Sequence, residues 1–207
     1  DNSHVEIFDS RAVLIDAHTI EILKTGKRIT ADQILIAVGG HPNPHAALPG
    51  YEFCISSNEA FHLEQLPKAI IIAGGGYIAV EFANIFHGLG VDVTLVYRGK
   101  EVLSRFDHDL RHLLHEAMEA KGIKIRCGEI LKEVKRNTDG RLDVHLSSDD
   151  ELVADQVMLA IGRVPNTKML GLEQVGVEVH EIGAIKVDDY SRTTVGNIWM
   201  VGNVTNR

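Results

Sequence analysis

The sequence has no apolar run approaching the roughly 20 residues of a membrane span, and its first residues lack the apolar core of a signal peptide. Positive charge is not in excess either. A net charge of -8 argues against nonspecific binding to nucleic acid or to an anionic membrane. Cysteine is scarce: Cys54 and Cys127 stand far apart and form no C-x-x-C motif, so core positions and a reducing setting, cytoplasmic or organelle-matrix, are expected rather than a redox pair. No H-E-x-x-H pattern is present. His108, His112 and His115 share one helical face, which reads as a solvated polar face, and no metal site is expected.

What is there is ordinary in bulk and specific in detail. Hydrophobic content of 44% and charged content of 24% suit a soluble globular protein of one or two domains. The specific stretch is 70–83. Ile70 to Ala73 form an apolar run expected to be a buried parallel strand. Gly74, Gly76 and Ala79 then make G-x-G-x-x-A, and Val80, Ala83, Ile85 and Phe86 continue a helical apolar stripe. Strand, glycine turn and helix in that order give a dinucleotide site. The first glycine makes the turn, the second admits a pyrophosphate, and the small third residue lets helix and strand pack closely. Free N–H groups at the helix start hold the phosphates.

Along the chain, 5–8, 12–15 and 19–23 read as short strands, and a turn at Lys24-Thr25-Gly26-Lys27 predicts a hairpin onto 28–30. Strand 34–38 ends in Gly39-Gly40, and the proline-rich stretch 41–49 reads as an irregular linker. A short helix is expected over 57–65 and the motif helix over 77–87, with strand 91–97 next. Asp107 reads as the N-cap of a helix to Lys121-Gly122 whose buried stripe is Leu110, Leu113, Leu114 and Met118. Strand 123–130, a hairpin in 134–146 turned at 138–140, and strands 153–161, 185–188 and 198–201 complete the reading. Gly162-Arg163-Val164-Pro165-Asn166 echoes Gly39-Gly40-His41-Pro42-Asn43, as if two crossings flanked one inserted module. Glycines there let a dinucleotide lie close to the backbone.

The end of strand 91–97 bears on nucleotide choice. An NAD site carries Asp or Glu about 20 residues past the motif. Here Arg98, Lys100 and Arg105 follow, with only Glu101 among them, and guanidinium groups bind phosphate oxygens bidentately. NADP is favoured over NAD, with a solvated basic loop as the bland alternative.

Taken together, 36–40, 73–81, 104–107, 160–167 and 201–205 resemble the flavin-dependent pyridine nucleotide–disulfide oxidoreductases, and within them the branch that reduces oxidised glutathione. The resemblance covers essentially the whole chain. It implies an α/β protein: a Rossmann-like NADPH-binding domain (50–165) with a small antiparallel β meander, flanked by incomplete pieces of an FAD-binding domain (1–49 and 166–207). It implies that Gly74, Gly76, Tyr77, Ile78, Ala79 and Glu81 contact NADPH. Tyr77 is then a gate over the nicotinamide pocket, and Glu81 holds the nicotinamide end. It assigns Arg98 to the 2′-phosphate, with Arg105 as second cation. Gly39 and Gly162 would lie by cofactor and Arg163 near the domain junction, and Asn203 would face the flavin's ribityl chain. A homodimeric parent is implied as well.

Two departures stand out. The family's order is Arg-Ser-Phe-Asp, whereas this chain reads Ser104-Arg105-Phe106-Asp107, and its Val-Gly-Asp is here Val201-Gly202-Asn203. An amide oxygen still accepts a hydrogen bond, without a carboxylate's charge. Asn203-Val204-Thr205 is also a glycosylation sequon, which nothing else in the sequence supports. The family's amino-terminal FAD fingerprint, its Cys-x-x-x-x-Cys and its carboxy-terminal His-Glu pair do not occur in these 207 residues. The parent reaction passes hydride from NADPH through FAD to a disulfide and on to oxidised glutathione. The rivals are an NAD-dependent relative of the dihydrolipoyl dehydrogenase type, which Arg98 disfavours, and a non-catalytic dinucleotide-binding module.

Overall fold

The computed structural model describes residues 4–205, which fall into two compact units. One unit joins the residues up to His41 to those from Arg163 onward, and the other is Pro42–Gly162.

The first unit opens with strands β1 (Ala12–Leu14), β2 (Thr19–Ile22) and β3 (Lys27–Thr30), an antiparallel meander in that order. The expected hairpin is present. Ile22 pairs with Lys27, and Gly26, at φ +67, donates its N–H to the Ile22 carbonyl at 2.8 Å. β4 (Ile34–Ile36) follows, then β5 (Gly40–Pro42).

In the second unit a 3-10 turn (Tyr51–Phe53) precedes a short capped helix, α1 (Ser57–Ala60), and the chain then enters β6 (Ala69–Ala73), α2 (Tyr77–Gly88) and β7 (Asp92–Tyr97). Helix α3 (His108–Ala120) crosses over to β8 (Lys124–Cys127). An antiparallel meander comes next: β9 (Leu131–Arg136), β10 (Leu142–Leu146) and β11 (Glu151–Ala154). β12 (Gln156–Leu159) then returns beside β6, giving a parallel sheet of order β12-β6-β7-β8. The apolar run of β6 is explained by burial on both faces. Ile70 and Ile72 pack with Phe82 and Phe86 of α2, while Ile71 packs with Val134, Val144 and Leu146 of the meander.

The chain re-enters the first unit through β13 (Arg163–Pro165), which pairs with β5, and closes with β14 (Ile198–Met200), parallel to β4. Ile34, Ile36, Ile198 and Met200 point into a core shared with Leu14, Leu172 and Ile185.

The α/β architecture with a parallel nucleotide-type sheet and small meander is as expected, but several local expectations are corrected. Residues 5–8 form no strand: Val5 and Ile7 are exposed, with no ladder partner among the described residues. Strand 34–38 is shorter, and alternates instead of being wholly buried, since Leu35 and Val38 are exposed. Part of the linker is regular, because Gly40–Pro42 finds a partner in Arg163–Pro165, residues distant in sequence. The helix predicted over 57–65 stops at Ala60. Residues 153–161 belong to two strands in different sheets, with Asp155 at the corner, and 185–188 makes only an isolated bridge from Ile185 to Val179. In α2 the buried face is Ala79, Val80, Phe82, Ala83 and Phe86, with Ile85 exposed. In α3 only Met118 is fully buried; Leu110 and Leu113 are 65% and 62% exposed.

Candidate functional site

β6 delivers the chain to the glycine turn. Gly74 sits at φ +140, and its amide donates to the Val96 carbonyl at 2.9 Å. A Cβ there would collide with the Ala160 carbonyl and stand 3.3 Å from the Ala79 methyl, so strand, turn and helix meet at the contact limit. Ala79 is fully buried, which only a small side chain permits. Gly76 is different. It is the N-cap of α2, with extended backbone (φ -82, ψ 178) and no side-chain cap, and a Cβ on it would face open space. The first amides of α2 thus have room in front of them. Tyr77 and Glu81 are exposed, and Ile78 packs against the core.

The strand order places this turn where ligands collect. β7 lies on one side of β6 and β12 on the other, so the order reverses at β6, and open α/β sheets bind ligands outside the carboxyl ends of the strands at such a point. β7 runs parallel to β6, so Arg98 leaves the same sheet edge as Gly74. Arg98, Lys100 and Arg105 are exposed, and among the described residues their side chains make no ion pair or hydrogen bond.

The segment bearing these cations is tethered. Leu103 N–H donates to the Gly75 carbonyl at 2.6 Å, Gly128 N–H to the Gly99 carbonyl at 3.0 Å, and Arg111 Nε to the Val102 carbonyl at 3.0 Å. Glu101, the acid among the cations, is engaged by α3: its carboxylate lies 3.0 Å from His112 Nδ1 and 3.7 Å from Arg111. The His112 hydrogen bond holds the Glu101 carboxyl below its usual range, and the same bond raises the His112 imidazole. Glu101 is thus paired with α3, and among the described residues it makes no ion pair with Arg98.

Gly162, after β12, is exposed at φ +127 with open space at its Cβ position, and its carbonyl accepts from Asn43 N–H at 3.1 Å. In the first unit, Gly39 adopts φ +64 and accepts from Asn166 N–H at 3.0 Å. Arg163 donates to the Gly40 carbonyl, and His41 Nδ1 meets Asn166 Oδ1 at 2.6 Å. A Cβ on Gly40 would lie 3.6 Å from that of Asn203, which is exposed. Of the predicted site residues, the second unit thus gathers Gly74, Gly76, Tyr77, Ile78, Ala79, Glu81, Arg98, Arg105 and Gly162. The first unit carries Gly39, Arg163 and Asn203.

The cysteines are free and half-buried rather than deep in the core. Burial pushes the Cys54 thiol up to about 12, with the charge of Glu52 adding to it, and burial likewise raises Cys127. Of the three histidines on α3, His108 and His112 stack at 6.3 Å, while His115 reaches Glu119. Their face is one of imidazole–carboxylate pairs, with no metal-holding cluster among the described residues.

Gly75, Tyr97 and Gly99, which pack together beside the turn, were not singled out from the sequence. The signal for them was a third glycine inside the motif and an aromatic flanked by glycine-bearing turns.

The model of the pyridine nucleotide-disulphide oxidoreductases matches residues 1–207. The chain belongs to that family. It is 44% identical over 216 residues to a glutathione reductase of Nostoc sp., covering 98% of this chain and 46% of the relative. It is also 44% identical over 204 residues to a trypanothione reductase of Leishmania donovani, covering 94% and 41%. Among solved structures, the HOCl-induced flavoprotein disulfide reductase RclA of Escherichia coli matches with a TM-score of 0.87 at 30% identity, covering 97% of this chain and 46% of that one. LpdA of Mycobacterium tuberculosis matches with a TM-score of 0.84 at 28% identity, covering 98% and 46%. The chain spans less than half the length of these relatives. Among the described residues no helix is long and apolar enough to cross a membrane.

Proposed function

We propose that the chain is the NADPH-binding portion of a glutathione-disulfide reductase, a cytoplasmic homodimer in its complete form. The observation that carries the nucleotide assignment is the trio Arg98, Lys100 and Arg105, exposed and unpaired beside an open helix start, with Glu101 occupied elsewhere. A site for the 2′-hydroxyl of NAD needs a free acid at that strand end; this one offers cations.

The residues fit the nucleotide. Gly74 makes the turn, Gly76 leaves space for the pyrophosphate, and the first amides of α2 donate to it. Arg98 takes the 2′-phosphate, with Arg105 as an outer partner. Tyr77 covers the nicotinamide end and swings away when the nucleotide enters, and Glu81 fixes that end through hydrogen bonds. Ile78 and Gly162 line the approach. On the first unit, Gly39 and Asn203 would lie by FAD, with Asn203 accepting from the ribityl chain as a neutral amide, while Arg163 stands at the boundary of the two units in the sequence. The chemistry these groups supply when bound is hydride transfer from nicotinamide to flavin and on to a disulfide. The two cysteines of this chain are free, and burial raises both thiols, Cys54 to about 12, which makes both poor nucleophiles for that last step. Oxidised glutathione as the substrate is supported by the glutathione reductases among the relatives, although trypanothione reductases match at similar identity.

The test is calorimetric titration of the chain with NADPH and, separately, NADH. NADPH binds more tightly, and Arg98→Ala removes the preference while leaving NADH binding little changed. Equal binding, or a preference for NADH, overturns the assignment in favour of an NAD-dependent relative of the dihydrolipoyl dehydrogenase type. Binding of neither favours a structural glycine turn.

A further inference from the structure

Tyr97, the last residue of β7, fills the space that two glycines leave. A Cβ on Gly75 would lie 2.5 Å from its Cγ and Cδ2 and 2.6 Å from its Cδ1. A Cβ on Gly99 would collide with Cε1 and stand 2.8 Å from Cζ and 2.9 Å from the hydroxyl oxygen. One ring therefore rests on the motif turn at its inner end and on the cationic segment at its outer end. These two pieces are also joined by the 2.6 Å bond from Leu103 N–H to the Gly75 carbonyl, made with Leu103 at φ +55. Left-handed backbone at a leucine is held only where surrounding contacts impose it. The Tyr97 backbone is fixed too, its carbonyl accepting from Glu129 N–H at 3.2 Å.

We propose that Tyr97 is a positioning residue for nucleotide recognition: its ring, seated against Gly75 and Gly99, sets the offset between the pyrophosphate-binding turn and the Arg98 guanidinium, and so sets the preference for a 2′-phosphorylated dinucleotide. The inference rests on the NADPH reading above. Its physical basis is that the two ends of one ligand are read by two segments, and affinity for both at once requires their spacing to be fixed. Arg98 stands between the ring's own residue and Gly99, so a shift of the ring displaces the guanidinium with it. Gly75 and Gly99 are small because the ring needs their space, not because of their backbone angles: neither has a positive φ.

The experiment is a double-mutant cycle on the chain. Gly75→Ala weakens NADPH binding by about tenfold, within the range for a misplaced contact, with a smaller effect on NADH. Tyr97→Val, which empties the ring's place, also lowers the ratio of NADPH to NADH affinity. In the double variant the added methyl has room, and Gly75→Ala has little further effect. Tyr97→Phe retains the wild-type preference, because the ring and not the hydroxyl does the spacing. Thermal melting of each variant separates loss of fold from loss of preference. An unchanged affinity ratio in folded Tyr97→Val, while Arg98→Ala abolishes it, overturns the positioning role and leaves the NADPH reading intact. Independent effects of Gly75→Ala and Tyr97→Val likewise overturn it. A wild-type chain with no preference for NADPH overturns the reading itself, and this inference with it.

Discussion

Asp155 Oδ2 accepts a hydrogen bond from the Ala69 amide at 2.8 Å, tying the corner between β11 and β12 to the start of β6. The other oxygen, Oδ1, accepts from Arg141 Nε at 2.9 Å. Burial opposes ionisation here, yet the Ala69 amide and Arg141 outweigh it and hold the Asp155 carboxyl below its ordinary 3.8. A depressed folded value means stability that is present above pH 3.8 and is lost as the pH falls through the folded value. Asp155→Ala is expected to destabilise the second unit by about 1–2 kcal/mol, mostly through the unpaired Ala69 amide. The Arg141 pair adds little, being substantially exposed. Urea unfolding at pH 7 and pH 3.5 checks this: the difference between wild type and variant narrows at the lower pH, and a constant difference would sink the account.

The motif glycines separate stability from binding. Gly74→Ala meets both an unfavourable φ and the Ala160 carbonyl, so it is expected to destabilise the fold by several kcal/mol, at the upper end of single-residue effects. Gly76→Ala has ordinary backbone angles and open space around it, so it costs only about 1 kcal/mol, the disadvantage of Ala against Gly at an N-cap. Its methyl instead occupies the approach to the amides of α2, and NADPH affinity falls about tenfold or more. Unimpaired binding by Gly76→Ala would mean that no phosphate approaches there.

Legibility followed the range of the interactions involved. The motif strand, its turn and helix, and the Lys24–Lys27 hairpin could be read because each is local: a periodic apolar pattern, a glycine where φ is positive, a cap. The Asp107 cap is real, its carboxylate accepting from the amides of Asp109 and Leu110. The stripe behind it was misjudged, since apolar residues at helical spacing do not say which of them meet a partner, and α3 buries only its Met118 end. Pairings such as Gly40–Pro42 with Arg163–Pro165 join residues far apart in the chain, and no local pattern announces them. At the candidate site, the glycine turn at Gly74 and the helix start at Gly76 were legible from spacing, and the structure has them as such. The seat of Tyr97 was not, because it depends on the volume left by Gly75 and Gly99 rather than on any motif.

The thiols give a chemical test. Both pKa values are raised by burial, Cys54 the further of the two, so both are protonated at pH 8 and poor nucleophiles. Iodoacetamide at pH 8 is expected to label Cys127 slowly and Cys54 more slowly still, and both quickly once urea unfolds the chain. Mass spectrometry after timed quenching reads the order. Fast labelling of Cys54 in the folded chain would contradict the burial argument.

The last expectation concerns pH and the cationic segment. The Glu101 hydrogen bond raises His112 from its ordinary 6.5, and the same bond lowers Glu101 from 4.5. Other charges facing the pair are Arg111, His108, Asp109 and Glu116. A raised histidine contributes stability that is fully present below 6.5 and lost as the pH climbs through the folded value. A lowered carboxylate contributes above 4.5 and loses its part as the pH falls through its own folded value. The pair is therefore strongest between those limits. The segment carrying Arg98 is best anchored to α3 near pH 5.5, and His112→Gln flattens this dependence. Melting curves from pH 4 to pH 8 on both proteins decide it. Wild type should lose a small increment of stability above pH 6.5 that the variant never had, and the increment should shrink with added salt because the His112 side of the pair is exposed. Parallel curves for the two proteins across that range would show that the His112–Glu101 contact contributes nothing.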